Sequence, residues 1–181
     1  MTTFVALLRA VNVSGQNRIP MAELRRALGG LGLTGVETYL QSGNVVFVAA
    51  SDDPAAQSAA IHELIAREFA HDVPVLVLTA ADLAQVAAAN PFRADGADEK
   101  LLHVTFLAGP VPAAAFGALR LPAQPGEEAV LAGRVVYLHL PHGYGRTKLN
   151  NAYFERVLGT SATTRNWRTV LALAQMSARG A

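Results

Sequence analysis

Residues 36–49, VETYLQSGNVVFVA, decide the fold of the first half of the chain. Residues 36–40 and 45–49 are rich in β-branched and aromatic side chains, which favour strands. Between them, Gln-Ser-Gly-Asn at 41–44 has the composition of a turn. The stretch therefore predicts two strands joined as a hairpin.

The residues on either side of this hairpin complete one βαββαβ unit. Before it, residues 4–13 predict a buried strand, and a helix with apolar residues at helical spacing starts at Pro20. After it, residues 54–69 predict a second helix and residues 73–78 a fourth strand. This order is that of the split ferredoxin-like unit.

The pattern restarts after a polar, turn-rich segment that ends near residue 100. Strand, helix and hairpin patterns follow again, and then two helices, over residues 148–158 and 166–176. We therefore predict an α+β protein with two ferredoxin-like (βαββαβ-type) subdomains in tandem, of which the second ends in helices. The predicted boundaries are 1–80 for the first subdomain, 81–100 for a connecting helix and linker, and 101–181 for the second subdomain with its basic C-terminal helices.

The predicted strands are apolar on both faces, as in residues 135–140. A ferredoxin-like sheet covers only one of its faces with helices. The second faces need cover, either from each other or from a second chain, so a homodimer is one expected assembly.

Composition indicates a cytosolic protein. The chain has no cysteine, which excludes disulfides and thiolate metal sites and favours a reducing compartment. The first residues are apolar only briefly and read as a strand and not as a signal peptide. No apolar run approaches the ~18 residues of a membrane span, so no membrane partner is expected.

Charge is distributed unevenly along the chain. From His142 onward there are six cationic side chains and one anionic side chain, a net charge of +5, in a chain whose total is +1. Either an anionic partner or a solvated basic face explains this asymmetry.

The segment 142–148, HGYGRTK, stands between a predicted strand and a predicted helix. Its glycine spacing matches neither a P-loop nor a dinucleotide-binding loop. We predict Thr147 as a helix N-cap, which puts Arg146 and Lys148 at a helix start. Helix N-termini carry a partial positive charge, so cations are unfavourable there.

The segment 163–168, TTRNWR, repeats this conflict, with Thr163 or Thr164 as the expected cap. An anion bound at both helix starts would offset the charge; otherwise the long side chains simply lean into water. The predicted anion site consists of Arg146, Thr147, Lys148, Arg165, Asn166 and Arg168.

A second polar cluster is expected where the first strand ends beside the hairpin link. It contains Arg9, Asn12, Ser42 and Asn44. These side chains either bind a ligand or satisfy backbone groups of the loops, which is the ordinary role of Ser and Asn in turns.

Stacking of RNA bases has little support in the sequence. An RNA-recognition motif needs aromatic residues on its central strands, and this chain has Asn44, Val46 and Ala49 at those positions. Trp167 fits the buried face of the last helix and is interpreted as a core anchor, with base stacking as the alternative.

No catalytic motif, cofactor site or metal site is recognised. The adjacent acids at 52–53 and 127–128 are expected to point apart and to lie in solvent, and His139 and His142 have no nearby carboxylate in the sequence.

Several motifs together resemble the bacterial domain-of-unknown-function family 1697. They are LLRAVNVSGQNRIPMAELR, TYLQSGNVVF, NPF, LHVTFL, GYGRTKLNN and TTRNWRTV, in this order. The resemblance implies a cytosolic protein of two ferredoxin-like α+β subdomains and implies no reaction. The recurrent polar positions of the family fall here on Arg9, Asn12, Ser42, Gly43, Asn44, Arg146, Lys148, Arg165, Asn166 and Trp167.

The sequence therefore predicts a non-catalytic binding module for a phosphate-bearing ligand, a nucleotide or a nucleic acid. The alternatives are an enzyme acting on a small anionic substrate and a dimerising structural protein.

Overall fold

The computed structural model describes residues 1–94 and 96–180, and the chain divides into two compact units. The first consists of residues 1–85 and the chain from Ala172 onward, and the second of residues 86–171. Asp95, which belongs to the predicted linker, and Ala181 lie outside the described residues.

The first unit contains a four-stranded antiparallel sheet and two helices in the chain order βαββαβ. Its elements are β1 (Thr2–Leu8), α1 (Met21–Gly29), β2 (Thr34–Tyr39), β3 (Asn44–Ala49), α2 (Pro54–Phe69) and β4 (Val75–Thr79). The strands lie in the order β2-β3-β1-β4. The predicted hairpin is confirmed, because β2 and β3 pair antiparallel with Tyr39 opposite Asn44.

Helix α2 begins where local sequence predicts it. Asp53 is the N-cap, and its Oδ1 accepts hydrogen bonds from the backbone nitrogens of Ala55 (2.8 Å) and Ala56 (3.3 Å). Pro54 occupies the first helical position, where its missing N–H has no consequence. The helix then buries Ile61 and Ile65 completely.

Both faces of the first sheet are buried at its central strands, β1 and β3. One face packs against α1 and α2 in a cluster that includes Phe4, Phe47 and Leu24. On the other face, Val5 is fully buried and the hydroxyl of Thr3 donates to the carbonyl oxygen of Gly180 at 2.8 Å. The end of the chain therefore lies against this second face within the first unit.

The second unit contains the other four-stranded antiparallel sheet. The remaining elements of the chain are α3 (Ala80–Ala88), α4 (Pro91–Ala94), β5 (Leu102–Leu107), α5 (Ala113–Gly117), β6 (Glu128–Ala132), β7 (Val135–His139), α6 (Asn151–Leu158), β8 (Ala162–Asn166) and α7 (Trp167–Arg179). Residues 80–85 of α3 and 172–179 of α7 belong to the first unit. The strand order is β6-β7-β5-β8. One face of this sheet packs Val136 and Leu138 against Phe116 of α5 and Phe154 of α6.

The prediction that the second half ends in helices without a fourth strand is wrong. β8 pairs antiparallel with β5, with Thr164 opposite Thr105 and Ala162 opposite Leu107. The threonines suggested helix caps, but β-branched side chains also favour strands. Pairing with β5, which is remote in sequence, decides between the two.

Candidate functional site

The HGYGRTK loop is held against the turn that precedes β6. The amide Nε2 of Gln124 donates to the carbonyl oxygen of Arg146 at 2.7 Å. The imidazole Nε2 of His142 lies 3.0 Å from the carbonyl oxygen of Pro125. Within the loop, Tyr144–Arg146 forms one turn of 3₁₀ helix. The loop is therefore fixed by contacts with another turn of the second unit.

Glu127 also contacts this loop. The expectation that the adjacent acids at 127–128 both lie in solvent is wrong for Glu127. Glu128 is exposed, but Glu127 is only 7% exposed. The Oε2 atom of Glu127 accepts from the backbone nitrogen of Gln124 (2.9 Å) and from the hydroxyl of Thr147 (3.0 Å). Two adjacent acids in a sequence carry no signal of which one is buried, so the role of Glu127 was not predicted.

The predicted helix start at Thr147 is wrong. Thr147 has extended backbone angles, and its hydroxyl oxygen accepts from the backbone nitrogen of Leu149 at 3.0 Å. The N-cap of α6 is Asn150, whose Oδ1 accepts from the backbone nitrogen of Tyr153 at 3.0 Å. Lys148 therefore precedes the helix, and the predicted charge conflict is absent from the first turn of α6.

At the second predicted helix start, the cap is again a different residue. Thr163 and Thr164 lie in β8, and Asn166 Oδ1 accepts from the backbone nitrogen of Thr169 at 2.9 Å. Arg168 does lie in the first turn of α7, which contains no acidic residue. The predicted charge conflict therefore persists at α7.

Arg165 is directed into the protein and is only 9% exposed. Its Nη1 donates to Thr163 Oγ1 (2.7 Å) and to the carbonyl oxygen of Thr164 (2.9 Å). Burial lowers the pKa of Arg165 to about 10, while its electrostatic interaction with Tyr144 acts in the opposite direction. The guanidinium is therefore engaged by groups of the protein itself.

A surface groove of about 690 Å³ in the second unit gathers three cations. Arg120, Lys148 and Arg156 line it from three different segments, and no carboxylate is among its lining residues. We call it the basic groove, and its full lining is Leu119, Arg120, Pro122, Lys148, Asn150, Ala152, Tyr153, Arg156 and Val157.

A second cleft, of about 720 Å³, carries both signs of charge and is called the mixed cleft. Its lining is Asp98, Glu99, Lys100, His103, Asn166, Arg168 and Leu171. The predicted anion-binding residues are thus divided, because Lys148 lines the basic groove whereas Asn166 and Arg168 line the mixed cleft.

His103, in the mixed cleft, is a residue that the sequence analysis did not select. It lies opposite Asn166 in the pairing of β5 with β8. Its ring stacks on Tyr144 with centroids 5.3 Å apart. Burial lowers the pKa of His103 below its ordinary value, and the backbone at Leu101 acts in the opposite direction to a smaller extent. The only sequence signal is a histidine in the largely apolar segment LHVTFL.

Strand pairing brings Asn44 of the predicted polar cluster opposite Leu7 in β1. Asn44 is fully buried, and its Nδ2 donates to Ser42 Oγ and to the carbonyl oxygen of Tyr39, both at 3.0 Å. The nitrogen of Arg9 donates to the carbonyl oxygen of Pro74 at 2.9 Å.

Asn12 links the two loops of this cluster. Its Nδ2 donates to the carbonyl oxygens of Ile19 (2.9 Å) and Gln41 (2.8 Å), and its Oδ1 accepts from the nitrogen of Ile19 at 2.9 Å. These bonds satisfy backbone groups of the loops, which is the structural role that the sequence analysis allowed.

Two features are absent from the described part of the chain. No helix there is both long and apolar enough to cross a membrane. No group of three histidine or acidic side chains is placed to hold a metal ion among residues 1–94 and 96–180.

The helices and the two four-stranded antiparallel sheets define an α+β protein. More particularly, the chain belongs to the family described as protein of unknown function DUF1697, whose model matches residues 1–137. The HGYGRTK and TTRNWR segments lie beyond the matched residues.

The chain is also similar to a solved structure, that of the conserved bacterial protein SP0830 from Streptococcus pneumoniae. The two sequences are 25% identical, the TM-score is 0.72, and the alignment covers 97% of this chain and 98% of the other. No curated protein matches the chain significantly.

Proposed function

We propose that the protein is a binding module for a phosphate-bearing ligand, a nucleotide or a nucleic acid, and that the ligand occupies the basic groove. The observation that carries the proposal is the charge of this groove. Arg120, Lys148 and Arg156 face one space that no carboxylate lines. Cations gathered without acids create a local positive potential that attracts anions, and phosphate oxygens accept their N–H donors.

The start of α6 adds to this potential. Asn150, the N-cap of the helix, lines the same groove. A helix N-terminus carries a partial positive charge and the first turn of α6 has no acidic residue to neutralise it. The partial charge of the helix N-terminus and the charges of the groove side chains are therefore both positive.

The mixed cleft fits an anion less well. It contains Asp98 and Glu99, whose charges oppose those of Lys100 and Arg168. Glu99 pairs with Arg93 at 3.1 Å, outside the cleft lining. A phosphate there would have to approach two carboxylates, so the basic groove is the preferred location.

The test removes two cations of the groove together, Lys148→Ala and Arg156→Ala, and measures binding of ATP and of a single-stranded oligonucleotide by calorimetry. We expect the double variant to bind at least about 10-fold more weakly, because even one lost hydrogen bond between a charged side chain and phosphate costs about 1.5–3 kcal/mol. Binding of the oligonucleotide should fall more steeply with salt than binding of ATP.

Arg146→Ala is the matched control. Arg146 is exposed and belongs to the same loop, but it is not among the lining residues of the basic groove. The affinity of this variant for ATP and for the oligonucleotide should stay close to that of the wild-type protein. Unchanged affinity in the double variant, or an equal loss in the control, would contradict the proposal.

We also propose that each unit is a ferredoxin-like βαββαβ subdomain. The support is the repeated chain order and the equivalent strand orders, β2-β3-β1-β4 and β6-β7-β5-β8. A cytosolic location is proposed with it, because a chain without cysteine suits a reducing compartment.

A further inference from the structure

Tyr153 is fixed in position at one side of the basic groove. Its backbone nitrogen donates to the cap residue Asn150. Its ring meets Phe154 edge-on, with centroids 5.4 Å apart and an interplanar angle of 67°. Its hydroxyl donates to the carbonyl oxygen of Arg120 at 3.4 Å. The side chain is therefore contacted by Phe154 and by the backbone of Arg120, and it remains partly exposed.

Arg156 lies over this ring. Its Cζ atom is 5.6 Å from the ring centroid of Tyr153, within the distance of a cation–π interaction. The two residues are three positions apart on α6, so they share one face of the helix. A guanidinium restrained by an aromatic ring offers a planar, weakly hydrated surface on which a base can stack.

The rest of the groove has two kinds of surface. Arg120 and Lys148 supply further positive charge. The other lining residues are mostly apolar: Leu119, Pro122, Ala152 and Val157. Inorganic phosphate or a sugar phosphate has no apolar surface to place against these residues, whereas a nucleotide has a flat, weakly polar base as well as a phosphate.

We propose that the basic groove binds one nucleotide, whose base stacks on the Arg156–Tyr153 pair while its phosphate meets Arg120 and Lys148. This inference rests on the proposed function, since it names the ligand class of the same groove. The volume of about 690 Å³ lies in the range of small-molecule sites.

The test compares adenosine monophosphate with ribose 5-phosphate, which carries the same phosphate and no base. Stacking of one base contributes about 1–3 kcal/mol, so the wild-type protein should bind the nucleotide about 10-fold more tightly than the sugar phosphate. Arg156→Lys keeps the charge and removes the planar guanidinium. In this variant the affinity for the nucleotide should fall to that for ribose 5-phosphate, whose own affinity should not change.

Arg146→Lys, the same substitution outside the groove, is the control and should retain the preference. Equal wild-type affinities for the two probes, or an equal loss of both in Arg156→Lys, would overturn the stacking inference and leave phosphate binding intact. Absence of binding to both probes and to oligoadenylate would overturn the proposed function as well. A steeper salt dependence for oligoadenylate than for the mononucleotide would support a single strand as the source of the nucleotide, and equal dependence a free nucleotide.

Discussion

Glu127 shows how much one residue's role depends on contacts that its local sequence does not reveal. It is buried beside an exposed acid, and both of its hydrogen bonds arrive at Oε2, from Gln124 and Thr147. Its other oxygen, Oε1, is buried and has no hydrogen-bond partner among the described residues. A buried carboxylate oxygen without a partner is unfavourable, so Glu127 holds the HGYGRTK loop at a cost in stability.

Glu127→Gln should change the free energy of unfolding by less than about 1 kcal/mol. The amide oxygen of glutamine can accept both hydrogen bonds and the buried charge is removed, but a buried amide nitrogen takes the unpartnered position of Oε1. Glu127→Ala should lower the free energy of unfolding by about 1–3 kcal/mol, because it leaves two donors without an acceptor. Urea unfolding measures both, with the exposed Glu128→Gln as a neutral control. A glutamine variant as unstable as the alanine variant would contradict this account.

At the scale of elements, the predictions were accurate where the pattern is local and wrong where pairing decides. The bounds of α2 were predicted correctly because a proline at its first position and an apolar face both lie within the helix. By contrast, β1 was predicted to extend to Val13 but ends at Leu8. Ala10 and Asn12 adopt positive φ values of 55° and 54°; asparagine tolerates this conformation, but the apolar Ala10 gave no warning of it.

Gly43 lies in the hairpin link and packs against the end of β1. A substitution there should therefore have a measurable effect on stability. It has φ +74°, and an added Cβ would lie 2.7 Å from Leu8 Cβ and 3.2 Å from Val11 Cβ. Gly43→Ala combines left-handed strain with overpacking, so we expect it to lower the free energy of unfolding by about 3 kcal/mol.

The equivalent turn of the second unit provides the control. Gly133 has φ +59°, with nothing within 4 Å of an added Cβ. Gly133→Ala should therefore show the conformational cost alone, about 1 kcal/mol. Equal losses in chemical denaturation of the two variants would show that the contact with Leu8 is relieved at no cost.

At the scale of the whole molecule, the first unit is discontinuous in sequence. The chain leaves it after residue 85 and returns to it from Ala172 onward. Leu173 is buried, with 1% of its surface exposed, and Gly180 lies against Thr3. The last segment is therefore part of the first unit's structure, although its sequence reads as the end of the second.

A chain that ends at Leu171 should be less stable than the full chain by at least about 2 kcal/mol, since burial of one leucine side chain contributes about 1.5–3 kcal/mol. Amides of β1 and β3 should lose protection in hydrogen exchange, because the Thr3 side of their sheet loses its contact with the end of α7. A chain that ends at Gly180 is the control. Full protection of β1 in the shorter chain would refute this role for the segment.

Local pattern alone specified the two βαββ segments and the bounds of α2, because periodicity, prolines and turn residues act over only a few positions. It did not specify that ATTRN is the fourth strand of the second sheet, or that Glu127 is buried. Nor did it specify that Lys148 shares a groove with Arg120 and Arg156 while Arg168 lines another cleft. Those outcomes depend on packing between segments distant in the chain, since strand pairing and side-chain burial are satisfied only when both partners are present.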